Sequence, residues 1–357
     1  MNTLAYKVEI FERLTLRNYY HLVKNEVAVG EDYLSPVNNT LTVPRTEDIV
    51  NGDFIRIQGD GVNYFGVIMG VEQGEIETTV LHKAFIGIFD NPCLFDTNWQ
   101  GTISLEEALE SLITSGWISN ADASANIPLT VTRRSSTAFG LNLKADVEGS
   151  HLCVINLYNS VIARALSKYG ITITAEPNFT TRKVDLTIGK VTASPLAIEA
   201  DLPTVISRNI VLLDKNTDVN KLTVWNLATG SGKATYYLYT DGTYGTADRN
   251  RVLPVVEAMG YVGDVTQETF TTQAARMAAE TFGQIEYNNL IEIEAARDDS
   301  RIDPLNILIG QEVTVWTRGR QIKSILTGRS IGASVTLTFG AFRMKLTDII
   351  KEIRRNG

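Results

Sequence analysis

The residues with the most recognisable chemical spacing are Gly328-Arg329-Ser330-Ile331-Gly332, which match the GxSxG nucleophile elbow. In that motif a serine sits on a sharp strand-to-helix turn, and a histidine later in the chain takes its proton. The last histidine in this sequence is His151, so no base follows Ser330. Strand-like residues flank the motif on both sides, which predicts a glycine-flanked hairpin turn instead. A second match, Thr229-Gly230-Ser231-Gly232-Lys233-Ala234, resembles a phosphate-binding loop. Leu227 stands where that loop's first glycine belongs, and Ala234 where its Mg²⁺-binding hydroxyl belongs. Thr223-Val224-Trp225 and Tyr236-Tyr237-Leu238-Tyr239 read as the two strands of a hairpin around it, so nucleotide binding is not expected.

Metal and acid–base chemistry fare no better. Asp214, Asn216, Asp218 and Asn220 alternate like the oxygen donors of a calcium loop, but Val219 replaces its glycine and Trp225 its bidentate glutamate. A turn whose side chains bond its own backbone accounts for them, with a weakly held structural ion as the alternative. His21, His82 and His151 fall in separate segments without ligand spacing. Cys93 and Cys153 are the only cysteines, too few for a thiolate zinc site or a disulfide framework. His151 and Cys153 diverge if they share a helix, which makes Cys153 core filler. Asp298, Asp299 and Asp303 have the residue types of a glycosidase pair, but loop solvation explains them among 41 carboxylates. The tyrosines at 236, 237, 239, 244 and 261 suit sheet-face packing and subunit contact, with stacking on sugars or bases as the alternative. The sequence thus predicts no catalytic, cofactor-binding or metal-binding residue, and no cofactor.

Elements that would position such residues are mostly strands. Ile55 and Ile57 alternate with Arg56 and Gln58, Val184, Leu186 and Ile188 with Asp185 and Thr187, Ile291 and Ile293 with Glu292 and Glu294, and Val335, Leu337 and Phe339 with Thr336 and Thr338. Period-two patterns of this kind have one buried and one wet face, as antiparallel sheets do. Asp60-Gly61 and Asp241-Gly242 carry the hairpin signature. Helices are expected from Ser104 to Gly116, from about His151 to Tyr169, around Phe270, Ala274 and Met277 up to Gly283, and over Thr347–Arg355.

With 357 residues, the chain exceeds what one core usually serves. Hydrophobic residues at 44% and charged residues at 21% are ordinary globular values and leave little room for long disorder. A formal charge of −8, with no Lys/Arg block beyond Arg133-Arg134 and Arg354-Arg355, argues against duplex binding. The longest apolar run, Tyr64 to Val71, is too short to span a bilayer, and the start lacks a signal peptide, so synthesis in a cytoplasm is expected. The order of elements predicts an α+β, strand-rich, multi-domain chain divided at 1–100, 101–194, 195–260 and 261–357. The first and third units would be strand-rich, and each would be followed by a unit that contains a helix.

Two stretches carry a resemblance. One runs from Asn51-Gly52-Asp53-Phe54-Ile55-Arg56-Ile57 into Tyr64-Phe65-Gly66-Val67-Ile68. The other runs from Asn289-Leu290-Ile291-Glu292-Ile293-Glu294 through Ile302-Asp303-Pro304-Leu305 to Ile309-Gly310-Gln311-Glu312-Val313-Thr314-Val315. Strands through Ile322–Leu326 and Val335–Phe339 follow it. In this succession the chain resembles the tail-tip hub of long-tailed bacteriophages, the short form of the tail-associated lysin family, which is similar in fold to the myophage baseplate hub. The resemblance implies two small β-barrel-like domains, here 1–100 and 195–260 with the latter completed by strands within 306–345, and two α/β domains, here 101–194 and 261–357. It also implies a homotrimer in the virion, made in the host bacterial cytoplasm, that closes the distal end of the tail tube and opens for DNA ejection during host infection. It implies as partners the distal tail ring protein, the tape-measure protein and receptor-binding or baseplate proteins, with phage DNA passing without specific binding and no membrane span. Many relatives continue into a peptidase or lysozyme region. This sequence ends at Gly357 without one, so lytic activity is not expected. A carbohydrate-binding adhesin of the tail tip is the alternative, and a cell-wall hydrolase a further one.

Overall fold

The computed structural model describes residues 5–100, 102–139, 141, 143, 146, 150–212, 219–240, 243–253, 255–266, 269–282, 287 and 289–341. It is strand-rich with few helices. Six antiparallel strands make the N-terminal sheet, in the order Asn18–Lys24, Tyr6–Phe11, Phe54–Gly59, Val62–Gln73, Glu77–Ala84 and Asn39–Pro44. The expected hairpin at Asp60-Gly61 joins Phe54–Gly59 to Val62–Gln73, with both residues at left-handed φ (45° and 74°). A second large sheet collects Leu196–Glu199, Glu312–Thr317, Arg320–Ile331, Ser334–Phe339, Asn289–Ala296 and Val205–Leu212.

The alternating residues of these strands face inward as their period requires. Tyr6, Val8, Ile10, Ile55, Ile57 and Ile68 of the first sheet meet Ile291, Ile293, Val313, Val335, Leu337 and Phe339 of the second in one apolar cluster. A short strand, Val29–Asp32, leaves the N-terminal sheet and pairs with Gly328–Ile331 of the C-terminal sheet. It acts as a clasp between the two.

The opposite face of the N-terminal sheet carries Phe11, Phe54, Phe65 and Val67, which pack against the middle of the chain. There α1 (Leu105–Ile113) lies on the sheet of Ile171–Asn178, Lys183–Lys190 and Leu129–Arg133. Ser104 caps α1 as its sequence predicts, its Oγ accepting from the Glu107 N–H at 3.2 Å. The helix then widens into a π-type turn over Thr114–Ile118 instead of stopping at Gly116. The expected helix from His151 is a strand first, Leu152–Asn156 paired with Pro92–Asp96, and only then helical up to Tyr169 in α2 (Ala163–Tyr169).

Residues of Lys221–Asn226, Lys233–Leu238, Tyr244–Gly245 and Glu257–Val262 form a further sheet, and α3 (Phe270–Phe282) covers one face of it. Leu222, Val224, Tyr236, Leu238 and Val262 pack there on Ala274, Ala278 and Phe282 as a separate core. The expected helix around Ala274 is therefore present. The expected elements at Asp241-Gly242 and Thr347–Arg355 lie outside the described residues.

Candidate functional site

Ser330 lies inside the strand Arg320–Ile331, between Thr336 on one side and Gly30 on the other. The turn falls two residues later, where the Gly332 N–H donates to the Ser334 carbonyl at 2.9 Å. Gly328 is small for a different reason from the one its motif implies: a Cβ there would meet the Glu31 carbonyl oxygen at 3.2 Å, because the clasp strand crosses at that point. His82 is buried in another sheet, its Nδ1 2.9 Å from the Tyr64 hydroxyl. Burial lowers its pKa to about 4. Nucleophile and base are not brought together.

The glycine-rich segment at 229–232 is the hairpin turn its flanks predict, with Gly230 and Gly232 at φ of 67° and 98°. The lysine after it stacks its ammonium over the Trp225 ring at 5.3 Å. Asp214, Asn216 and Asp218 lie outside the described residues. Asn220 is a backbone staple, its Oδ1 accepting from the Val256 N–H at 2.9 Å. Asp299 caps a turn by accepting from the N–H groups of Arg301 and Ile302. Burial raises its carboxyl pKa, but hydrogen bonds led by Thr204 outweigh that and hold it below the ordinary value. Asp303 binds the Asn306 amide at 2.9 and 3.0 Å. Both carboxylates serve the loop. Cys93 and Cys153 are free thiols on the paired strands Pro92–Asp96 and Leu152–Asn156. Burial pushes both up, Cys93 to about 11, which suppresses the nucleophilic thiolate. Among the described residues no group of His, Cys, Asp and Glu is arranged to hold a metal ion. No helix among them is long and apolar enough to cross a membrane.

The tyrosines divide between two faces. Tyr236 is buried against α3, and Tyr239 is buried with its hydroxyl donating to the Ala247 carbonyl at 2.9 Å. Tyr244 packs against Phe282 with the ring planes tilted by 38° and the centroids 5.7 Å apart. Tyr237 and Tyr261 stand on the outer face, opposite Lys221 and Trp225 in the register. There the register sets Trp225 between Lys233 and Tyr261, and Thr223 between Thr235 and Met259. Trp225, Met259 and Tyr261 are 39%, 60% and 50% exposed. An aromatic face of this kind offers broad, rigid contact area at low entropic cost. Sequence reading missed Trp225 and Met259 as parts of it, because neither stands out until the parallel strand Glu257–Val262 is laid beside Lys221–Asn226.

No protein-family model and no curated protein matches the sequence. Solved structures do match along nearly its whole length. A tail protein from Neisseria meningitidis MC58 superimposes with a TM-score of 0.54 at 15% identity, over 94% of this chain and 96% of the other. A 43 kDa tail protein of prophage MuSo2 from Shewanella oneidensis gives 0.52 at 12% identity, over 93% and 98%. A chain of the phage P2 baseplate, in its activated conformation with Ca, gives 0.51 at 11%, over 95% and 100%. The protein therefore has the fold of phage tail and baseplate proteins.

Proposed function

We propose that this protein is a structural component of a phage tail, the hub of its tip or baseplate, and not an enzyme. The observation that carries this reading is the end-to-end likeness of fold: 93–95% of this chain matches 96–100% of each of three tail or baseplate chains. The separation of Ser330 from His82, and the local bonding of Asn220, Asp299 and Asp303, support it. In this reading the chain assembles as a homotrimer at the distal end of the tail tube, on a distal tail ring and around the end of the tape-measure protein. Receptor-binding or baseplate proteins attach to it. It opens for DNA by a change in subunit packing between two discrete arrangements, with no bond chemistry. Electron microscopy of the assembled particle with this chain labelled tests the placement. Label anywhere other than the tail end overturns it.

The outer face of the sheet Lys221–Asn226 and its neighbours favours one alternative, a glycan-binding adhesin, because Trp225 and Tyr261 form an adjacent exposed aromatic pair. Tyr239 is not part of that platform. Saturable glycan binding that Trp225→Ala abolishes would favour the adhesin over the hub.

A further inference from the structure

One cleft runs against the charge of the molecule. It lies between the N-terminal sheet and the hairpin of Ile171–Asn178 and Lys183–Lys190. Its walls include four cations, Lys7, Arg17, Arg56 and Arg182, and one anion, Glu9, in a chain whose formal charge is −8. Glu9 is engaged by Lys7 at 2.6 Å, and Arg17 lies 4.0 Å from Glu12. Arg56 and Arg182 form no ion pair within 4.0 Å among the described residues, although Glu9, held by Lys7, stands opposite Arg56 on the neighbouring strand.

Arg56 is the unusual member. Its Nε is buried and has no hydrogen-bond partner among the described residues. The same is true of Nε in Arg297 and Arg329, but each of those holds a carboxylate through Nη2, Asp60 at 2.8 Å and Glu31 at 3.5 Å. The guanidinium of Arg56 instead lies over the Phe179 ring at 5.3 Å, and Phe179 stacks on Phe11 at 4.9 Å. A ring face compensates a cation only in part, and a buried N–H left unpaired is destabilising. A planar carboxylate presents two oxygens to the guanidinium fork and gives Arg56 the counter-charge that Asp60 and Glu31 give Arg297 and Arg329. Phe179, half-exposed beside it, adds an apolar surface.

We propose that this cleft binds an acidic peptide segment of another protein, with a carboxylate on Arg56 and an apolar side chain against Phe179. The proposal rests on the chemistry of the cleft alone, independently of the hub reading. The carboxylate enters from the side where Arg17 and Arg182 stand. Arg56 also lines a neighbouring cavity of about 240 Å³, but Glu31 and Glu176 are in its wall and repel an anion there. A nucleic-acid strand fits less well, because successive phosphates need a row of free cations and Glu9 sits among the few present.

The test is fluorescence anisotropy with the full chain at low salt. The probe is a labelled peptide of alternating glutamate and phenylalanine, run beside its glutamine analogue and a labelled single-stranded oligonucleotide. Saturable binding of the glutamate peptide is expected, weakened about tenfold by Arg56→Gln, less by Arg182→Gln, and reduced by added salt. Arg56→Met, which sets a methyl where Nε stands, should bind as weakly as Arg56→Gln and melt no lower than the parent, since it removes an unpaired buried donor. If neither Arg56 variant folds, Arg182→Gln, at an exposed hairpin tip, decides. Equal binding of the glutamine peptide, tighter binding of the oligonucleotide, or indifference to both substitutions overturns the proposal. So does the absence of saturation below about 1 mM.

Discussion

Two buried ionisable side chains set different pH limits on the protein. His82 is neutral in the fold and its pKa is lowered to about 4 by burial. A base with a depressed folded value takes up its proton on unfolding, so stability falls as pH drops from about 6.5 towards 4. The expected loss between about pH 7.5 and pH 5 is roughly 2 kcal/mol by linkage, and His82→Gln should remove that dependence in urea titrations. Glu106, in the first turn of α1, is fully buried and accepts from the Ser135 hydroxyl, the Thr137 N–H and the Thr137 hydroxyl at 2.6, 2.7 and 2.9 Å. Burial raises its carboxyl pKa, but these bonds outweigh it and the net shift is downward. An acid with a depressed folded value stabilises above its unfolded value and loses that contribution as pH falls through the folded one. The Glu106 window therefore lies below about pH 4.3, under that of His82. Glu106→Ala should cost about 3 kcal/mol at neutral pH, because it strands buried donors, and differential scanning calorimetry would show it. Neither role is legible in the sequence. Glu106 reads there as an ordinary first-turn acid, and its partners lie on a segment about 30 positions away.

The element that binds the molecule together is the clasp, and it was the least legible. Val29-Gly30-Glu31-Asp32 has no alternating pattern, and its partner strand begins nearly three hundred residues later. By contrast, Ile55–Ile57, Val184–Ile188 and Val335–Phe339 were legible because each has one wet and one buried face, which period two encodes directly. Leu152–Asn156 misled because four successive apolar residues satisfy both helical and strand periods, and only the pairing with Pro92–Asp96 decides between them. The clasp is anchored by Glu31 on Arg329, by the Gly30 N–H on Asn39 Oδ1 at 2.6 Å, and by the Tyr158 hydroxyl donating to the Asp32 carbonyl at 3.0 Å. Glu31 and Arg329 side chains are only 24% and 14% exposed, so Glu31→Ala leaves a largely buried cation unpaired. The expected cost is about 2 kcal/mol, below that of fully buried pairs, and adding Arg329→Met should recover much of it. Hydrogen exchange would locate the effect: faster exchange at Gly328–Ile331, and none at Lys221–Asn226, whose core is separate. Equal acceleration in both places would mean that the clasp has no local role.

At the scale of the whole molecule, the proposed assembly must use surface that a lone chain leaves exposed. The outer face bearing Trp225, Met259 and Tyr261 meets that need better than the scattered apolar residues elsewhere, because register makes it continuous. It also belongs to a unit with its own core, so charges placed there disturb association without disturbing the shared core of the two large sheets. The proposed trimer predicts a mass three times that of the 39.4 kDa chain in size-exclusion chromatography with light scattering. Trp225→Glu with Tyr261→Glu should give a monomer of unchanged circular dichroism, since both side chains lie away from α3 and burying unpaired carboxylates in an interface costs several kcal/mol each. A parent chain that stays monomeric at about micromolar concentration would remove the trimer from the proposal. A trimer that survives both charges would remove this face from the interface while leaving the fold and its tail-protein likeness intact. The two outcomes separate what the outer face does from what the chain is.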